Sequence, residues 1–155
     1  QKRPRRAQTS SPSLQRLAAL ATAAVYVQLI LGAAFRHNAF GIIPHLVGAA
    51  VVTTMVLWAW RRVRREHAEP ALQRPANVAA GLLLVQLLLG GGAYWARLAM
   101  ASAPQPQLPM VALTVAHVAV GALVLVSCLA LTLQSYHRLA PPEPQPSLVS
   151  EGATS

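Results

Sequence analysis

Charged residues are scarce in this chain. Only 11% of its 155 residues are Asp, Glu, Lys or Arg, whereas 54% are hydrophobic. Soluble domains carry about 25% charged residues, so this composition excludes an ordinary water-soluble fold. Four acidic residues stand against 13 Lys and Arg, which gives a net charge of +9. In a soluble protein such a charge would suggest a nucleic-acid partner, and its meaning here depends on where the charges lie.

Cysteine is also nearly absent. Cys128 is the single cysteine of the chain. One thiol excludes an internal disulfide and a metal cluster built from cysteines.

Long apolar runs are abundant. Four stretches lack Asp, Glu, Lys and Arg: residues 17–35, 41–60, 76–96 and 110–133. Each is close to the roughly 20 residues that a membrane-spanning helix needs. We predict an all-α polytopic membrane protein, a bundle of four transmembrane helices within residues 14–138. The basic segment 1–13 and the Pro-rich segment 139–155 are typical of disordered tails.

The basic residues indicate an orientation in the membrane. Most of them precede the first run, lie between the second and third, or follow the fourth: Lys2, Arg3, Arg5, Arg6, Arg16, Arg61, Arg62, Arg64, Arg65, Arg74 and Arg138. Cytoplasmic segments collect Lys and Arg, so we expect both termini to be cytoplasmic, in a bacterial inner (plasma) membrane. The partners of these charges are then lipid head groups and not nucleic acid.

A pattern of glutamine and histidine occurs twice. The sequence V-Q-L-x-L-G appears at residues 27–32 and 85–90, and His followed by Gly within about one turn appears at 45–48 and 117–121. The order is a Gln helix and a His helix, then again a Gln helix and a His helix. We infer two helical hairpins related by a pseudo-two-fold axis along the membrane normal. Gln28 and Gln86 would cross-link helices or hydrogen-bond a neighbouring polar group.

Two histidines lie inside apolar runs, where an ionisable side chain is costly and suggests a function. His45 and His117 can share a depth near the outer face. Two facing imidazoles suit a six-coordinate heme iron, and zinc or copper would lack further ligands. The alternative is a pair of buried imidazoles hydrogen-bonded to a carbonyl or to Gln. Gly48 and Gly121 would either let a flat macrocycle approach the backbone or allow close helix packing.

The remaining candidates lie outside the apolar runs. Arg36 either pairs with heme propionates or is a plain interfacial residue. His37, beside it, is either a loop residue or part of the propionate surroundings. We expect His67 and His137, which lie in Arg-bearing segments, to be solvated or interfacial.

The same residues resemble one known family. VQLILGAAFRH followed by PHLVGA, and VQLLLGGGAYWAR followed by AHVAVGAL, are similar to segments of the heme A synthase (CtaA) family over about residues 17–138. Members have two four-helix halves and oxidise a heme O methyl group to a formyl group, which supplies heme A for cytochrome oxidase assembly. This resemblance implies one half, with His45 and His117 as its heme ligands. The Pro-rich tail and the start at Gln1 fit the C-terminal, heme b-type half.

Two family features are missing from this chain. The loop between the first two runs has no cysteine pair, and no Glu shortly precedes His45. We therefore expect a heme b domain (heme O and heme A being alternatives) that supports electron transfer and acts as an oxidoreductase only when combined with a catalytic half. Its partners would be that second half or other membrane subunits. Open alternatives are an enzyme that itself oxidises a heme methyl group, a stand-alone b-type cytochrome, and a cofactor-free membrane subunit whose histidines cross-link helices.

Overall fold

Four long helices make up the part of the chain that the structure describes. The computed structural model describes residues 13–39, 41–104 and 107–139. The helices are α1 (Leu14–Arg36), α2 (Ile43–Glu66), α3 (Pro70–Ala99) and α4 (Leu108–Arg138). All four are long and apolar enough to span a membrane. The prediction of an all-α bundle is confirmed, and the chain is an integral membrane protein.

The helices extend past the apolar runs. α2 continues through its arginines to Glu66, and α4 continues to Arg138. Arginine is a good helix former, so the backbone helix does not stop where the charge-free run stops. Ser13, predicted to lie in a tail, caps α1 by accepting a hydrogen bond from the Arg16 amide. Leu139, also predicted in a tail, is only 2% exposed. The rest of both tails lies outside the described residues.

Each helix packs against its neighbours in the chain, and α1 closes the ring against α4. The result is an up-down-up-down bundle in which α1 and α3, and α2 and α4, are diagonal pairs. Polar contacts join α1 to α4 and to its C-cap, among them a 3.5 Å bond from the Gln15 amide to the Ser135 carbonyl. The Thr22 and Thr132 hydroxyls lie 2.9 Å apart, and the Gln15 amide donates to the Leu139 carbonyl at 3.1 Å.

Most charged residues of the helices, all except Arg36 and Arg97, gather at one end, which we call the basic end. Two ion pairs lie there, Arg62–Glu66 at 3.1 Å and Arg138–Glu69 at 3.0 Å. The second joins the start of α3 to the end of α4. The opposite end, which carries the α1–α2 and α3–α4 connections, is called the far end.

The apolar core fills the basic end and the middle of the bundle. It consists of two clusters of buried residues: Leu14, Leu17, Ala18, Ala59, Val63, Leu72, Ala76, Leu131 and Leu139, then Ala21, Val25, Val52, Val56, Ala79, Leu83, Val124 and Cys128. The inward stripe of α1 continues from Val25 to Gln28, and that of α3 from Leu83 to Gln86. Towards the far end, polar and small residues therefore replace the apolar core.

A histidine pair across the bundle

His45 and His117 meet inside the bundle. Their ring centroids are 6.3 Å apart, and the ring planes cross at 74°. Both side chains are partly buried. Because α2 and α4 are diagonal helices, the two rings approach each other across the bundle interior and not across a helix–helix contact. The structure thus brings together the two histidines that the repeat predicted to be equivalent.

The common depth follows from helix register. His45 lies seven residues before Val52, and His117 lies seven residues before Val124, and both valines are in the core. Two heptad-spaced pairs therefore place both rings at the same height above the core. α2 begins two residues before His45, whereas α4 begins nine residues before His117. At 1.5 Å per residue, the α3–α4 hairpin extends about 10 Å farther at the far end.

Two glycines make room for the imidazoles. A Cβ atom on Gly32 of α1 would lie 3.0 Å from His45 Cε1, and one on Gly90 of α3 would lie 2.8 Å from His117 Cε1. These are the closing glycines of the two V-Q-L-x-L-G segments. The repeat therefore encodes a pocket for the histidine of the next helix. Their role was missed from the sequence, where the only signal was their position at the end of each repeat.

Gly48 and Gly121 face the glutamines. A Cβ on Gly48 would overlap Gln28 Oε1, and a Cβ on Gly121 would lie 3.0 Å from Gln86 Nε2. Both glycines thus allow a Gln helix to pack closely on the His helix of the same hairpin. Close helix packing is one of the two roles that the sequence suggested for these glycines; the other is to let a flat macrocycle approach the backbone.

The His117 ring is fixed by the main chain of α3. Its Nδ1 lies 3.1 Å from the Gln86 carbonyl oxygen. A carbonyl oxygen can only accept, so Nδ1 carries the proton and Nε2 carries the lone pair. The Gln86 side-chain amide donates to that Nε2 at 3.3 Å. His117 is therefore held as the Nδ1–H tautomer.

The His45 ring is fixed by Gln28 of α1. The Gln28 side-chain amide nitrogen lies 3.0 Å from His45 Nδ1 and 3.5 Å from His45 Nε2, and it also donates to the His45 carbonyl at 2.9 Å. Within the described part of the chain, the buried Oε1 atoms of Gln28 and Gln86 have no hydrogen-bond partner. Each glutamine thus leaves one acceptor unused beside the histidine pair.

His45 and His117 offer only two ligands, which suits a metal ion whose remaining ligands come from its own cofactor. Among the described residues, no group of three or more His, Cys, Asp or Glu could hold a metal. A heme iron already has four macrocycle nitrogens and needs only two axial ligands. On each side of the metal, a metal–imidazole bond of about 2.0 Å and a further distance of about 1.1 Å from ring nitrogen to ring centre add up to about 3 Å. The centres of two imidazoles that face each other across one metal are therefore about 6 Å apart. The observed 6.3 Å between the ring centroids agrees with this requirement.

The other candidate residues lie at or near helix ends. Arg36 ends α1 and is exposed, and His37 follows it as an exposed C-cap. His67 ends α2 and His137 lies in the last turn of α4, both at the basic end. His137 is exposed, as predicted, whereas His67 is partly buried, with its Nε2 atom enclosed, and so departs from the expectation of a solvated residue.

A second arginine, Arg97, lies at the far end. The Arg97 guanidinium lies 4.9 Å from the centre of the Phe35 ring and donates to Asn38 Oδ1 at 3.3 Å. Asn38 has a φ of 57°, a left-handed conformation that asparagine tolerates better than most residues. Arg97 thus ties the longer α3–α4 hairpin to the turn that follows α1.

Comparisons with models of known protein families, with curated proteins and with solved structures found no match for this chain.

Proposed function

We propose that this chain is a membrane heme domain in which His45 and His117 are the two axial ligands of one heme b. The observation that carries this proposal is the 6.3 Å approach of two imidazoles from diagonal helices. Their matching positions in two equivalent hairpins support it. The resemblance to one half of heme A synthase points in the same direction and suggests a role in heme A biosynthesis and cytochrome oxidase assembly.

Electron transfer is the activity that the residues support best. A bound heme would supply a one-electron couple. The chain would supply two ligands and the apolar core beneath them, which excludes water from the basic-end side of the site. The four apolar runs contain no Asp or Glu, so the chain places no carboxylate there for acid–base chemistry. Oxidation of a heme methyl group would therefore require a second, catalytic half.

The location follows from the charge distribution. We infer an inner bacterial membrane with the basic end in the cytoplasm, because Lys and Arg collect on that side. The histidine pair then lies towards the outer face. Anionic lipid head groups would contact the arginines of the basic end.

A cofactor-free membrane subunit is the second candidate. The hydrogen bonds of Gln28 to His45 and of Gln86 to His117 favour it, because they satisfy both rings without a metal. In that case the pair would cross-link each hairpin, as polar side chains do in other membrane bundles.

Absorbance of the purified protein separates these candidates. Two axial imidazoles make the iron low-spin, so the reduced protein should show sharp α and β bands. His45→Ala and His117→Ala should each give a high-spin spectrum or lose the heme. His137→Ala, on the same helix as His117 but at the basic end, is the matched control and should match the wild type. Low-spin spectra at full heme occupancy in both Ala variants would refute the ligand assignment.

Extraction of the bound heme addresses its chemical type. Heme b alone supports electron transfer. Recovery of heme O, a hydroxylated heme or heme A would instead favour an enzyme that itself oxidises the heme methyl group. A wild-type protein that binds no heme in a heme-replete membrane would favour the cofactor-free subunit.

A further inference from the structure

Four exposed residues form a stripe along α2 at the basic end: Thr54, Trp58, Arg61 and Arg65. They are spaced by four, three and four residues, and residues three or four apart are neighbours on a helix surface. The opposite face of α2 carries its buried core residues: Val52, Val56, Ala59 and Val63. The stripe therefore faces the surrounding membrane.

We propose that this stripe binds one anionic phospholipid, with its phosphate on Arg61 and Arg65 and one of its acyl chains beside Trp58. This site lies on the outside of the bundle, and its existence does not depend on heme binding.

The acyl chain has a groove to occupy. The groove is lined by Thr54, Leu57, Trp58 and Arg61 and has a volume of about 320 Å³. At 1.5 Å per residue, Thr54 lies about 10 Å from Arg61 along the helix axis. The groove therefore leads from the level of the first arginine into the hydrocarbon layer of a bilayer, where lipid chains surround the helix.

The two arginines lie at the depth of the lipid head groups. The charge-free run of α2 ends at Trp60, directly before Arg61, and Arg65 lies about 6 Å farther along the axis. The head-group layer on each side of a bilayer is roughly 5–8 Å thick, so both guanidinium groups can reach one phosphate there. Trp58, which is 46% exposed, lies one turn deeper, where its indole N–H can donate to an ester carbonyl of the same lipid.

The charges of Arg61 and Arg65 are not neutralised within the described part of the chain. The two ion pairs found there use Arg62 and Arg138, and neither arginine of the stripe has a side-chain partner among the described residues. Two like charges one helical turn apart repel each other. A phosphate between them removes this repulsion and accepts charge-assisted hydrogen bonds from both guanidinium groups.

The neighbouring arginines of α2 are placed differently. Arg62 is only 7% exposed and pairs with Glu66 at 3.1 Å. Arg64 lies 5.9 Å from the centre of the Trp60 ring and is turned by about 100° around the helix from Arg65. Local positive charge alone would make these arginines equivalent, whereas a lipid site on the stripe distinguishes Arg61 and Arg65 from Arg64.

Three variants that each remove one exposed charge test this distinction: Arg61→Gln, Arg65→Gln and Arg64→Gln. Native mass spectrometry of the full chain in detergent, titrated with phosphatidylglycerol, counts the bound lipids and gives their affinities. The wild type should bind one phosphatidylglycerol more tightly than phosphatidylcholine. Arg61→Gln and Arg65→Gln should each weaken this first binding step about fivefold, as expected from about 1 kcal/mol per charge. Arg64→Gln, the matched control, should leave it nearly unchanged. Equal losses in all three variants, or no loss in any, would overturn the proposal.

A second measurement places the acyl chain, because bromine on a lipid chain quenches the fluorescence of a tryptophan that it contacts. The full chain is reconstituted in phosphatidylcholine vesicles that contain a minor fraction of either brominated phosphatidylglycerol or brominated phosphatidylcholine. The anionic lipid should quench the wild type more strongly, and this difference should disappear in Trp58→Phe and shrink in Arg61→Gln. Equal quenching of the wild type by both lipids, or a difference that persists in Trp58→Phe, would contradict a lipid site at Trp58.

Discussion

Gly90→Ala tests how tightly the histidine pocket is built. The new Cβ would lie 2.8 Å from His117 Cε1. Carbon atoms pack best at about 3.5–4.0 Å, so the ring or α3 must move by about 0.7 Å or more. The ring cannot turn freely, because Nδ1–H is bonded to the Gln86 carbonyl at 3.1 Å. The added methyl group therefore either breaks this bond or pushes α3 away from α4.

Two effects on stability oppose each other. Overpacking costs about 1–3 kcal/mol. Replacing glycine by alanine inside a helix returns about 1 kcal/mol. We expect Gly90→Ala to lower the free energy of unfolding by up to about 2 kcal/mol relative to the wild type. If His117 ligates a heme as proposed, its displacement should also weaken that bond, and the heme-loaded variant should show a high-spin fraction.

Gly91→Ala is the matched control. Gly91 is exposed, and a Cβ there meets nothing within 4 Å, so only the gain in helix propensity remains. Thermal unfolding in detergent, followed by circular dichroism, should separate Gly90→Ala from Gly91→Ala by the whole overpacking cost of about 1–3 kcal/mol. Absorbance spectra of both variants report on the ligand. Equal stability and wild-type low-spin spectra in both would show that Gly90 does not shape the pocket.

Three further predictions concern topology, charge and helix packing. A cysteine at Ser102 in a Cys128→Ser background should react with a membrane-impermeant reagent only from the outside, and labelling only from the cytoplasmic side would invert the orientation. Arg36→Ala should weaken heme retention at least tenfold if the guanidinium pairs with a propionate, because a charge-assisted hydrogen bond contributes about 1.5–3 kcal/mol. Unchanged heme retention and an unchanged reduction potential would show that Arg36 is an interfacial residue. Thr22→Val removes a 2.9 Å hydroxyl contact between α1 and α4, and it should lower the free energy of unfolding in detergent by about 0.6 kcal/mol. The control, Thr54→Val, loses only a hydrogen bond within its own helix and should have less effect. A Thr22→Val variant no less stable than Thr54→Val would show that the contact contributes nothing.

The sequence predicts the helices well because a bilayer demands long apolar runs. Four such runs within 155 residues leave few alternatives to a helical bundle. The repeat also predicts that His45 and His117 are equivalent, and the structure brings them together. Helix ends are harder to predict, because arginine continues a helix beyond the apolar run. The extension of α2 to Glu66 is an example.

Details of the pocket could not be derived from the sequence. Gly32 and Gly90 look like ordinary packing glycines until the neighbouring helix is placed beside them. The two glutamines occupy matching repeats, and each side-chain amide reaches the histidine ring of the next helix. Which ring atoms they reach depends on the exact placement of the neighbouring helices, which a pattern of residue types does not encode.

The two hairpins each contribute one histidine, which makes each of them half of a site. Residues 67–69 form the short link between α2 and α3, and therefore between the two hairpins. Two binding partners joined by a short linker meet at an effective concentration of about millimolar or more. Pairing of the two histidines therefore does not depend on the amount of protein in the membrane. If this link were cut, ligand binding would follow mass action and fall as the hairpins were diluted in lipid. The connection at the basic end would thus set the affinity of the proposed site at the opposite end of the bundle.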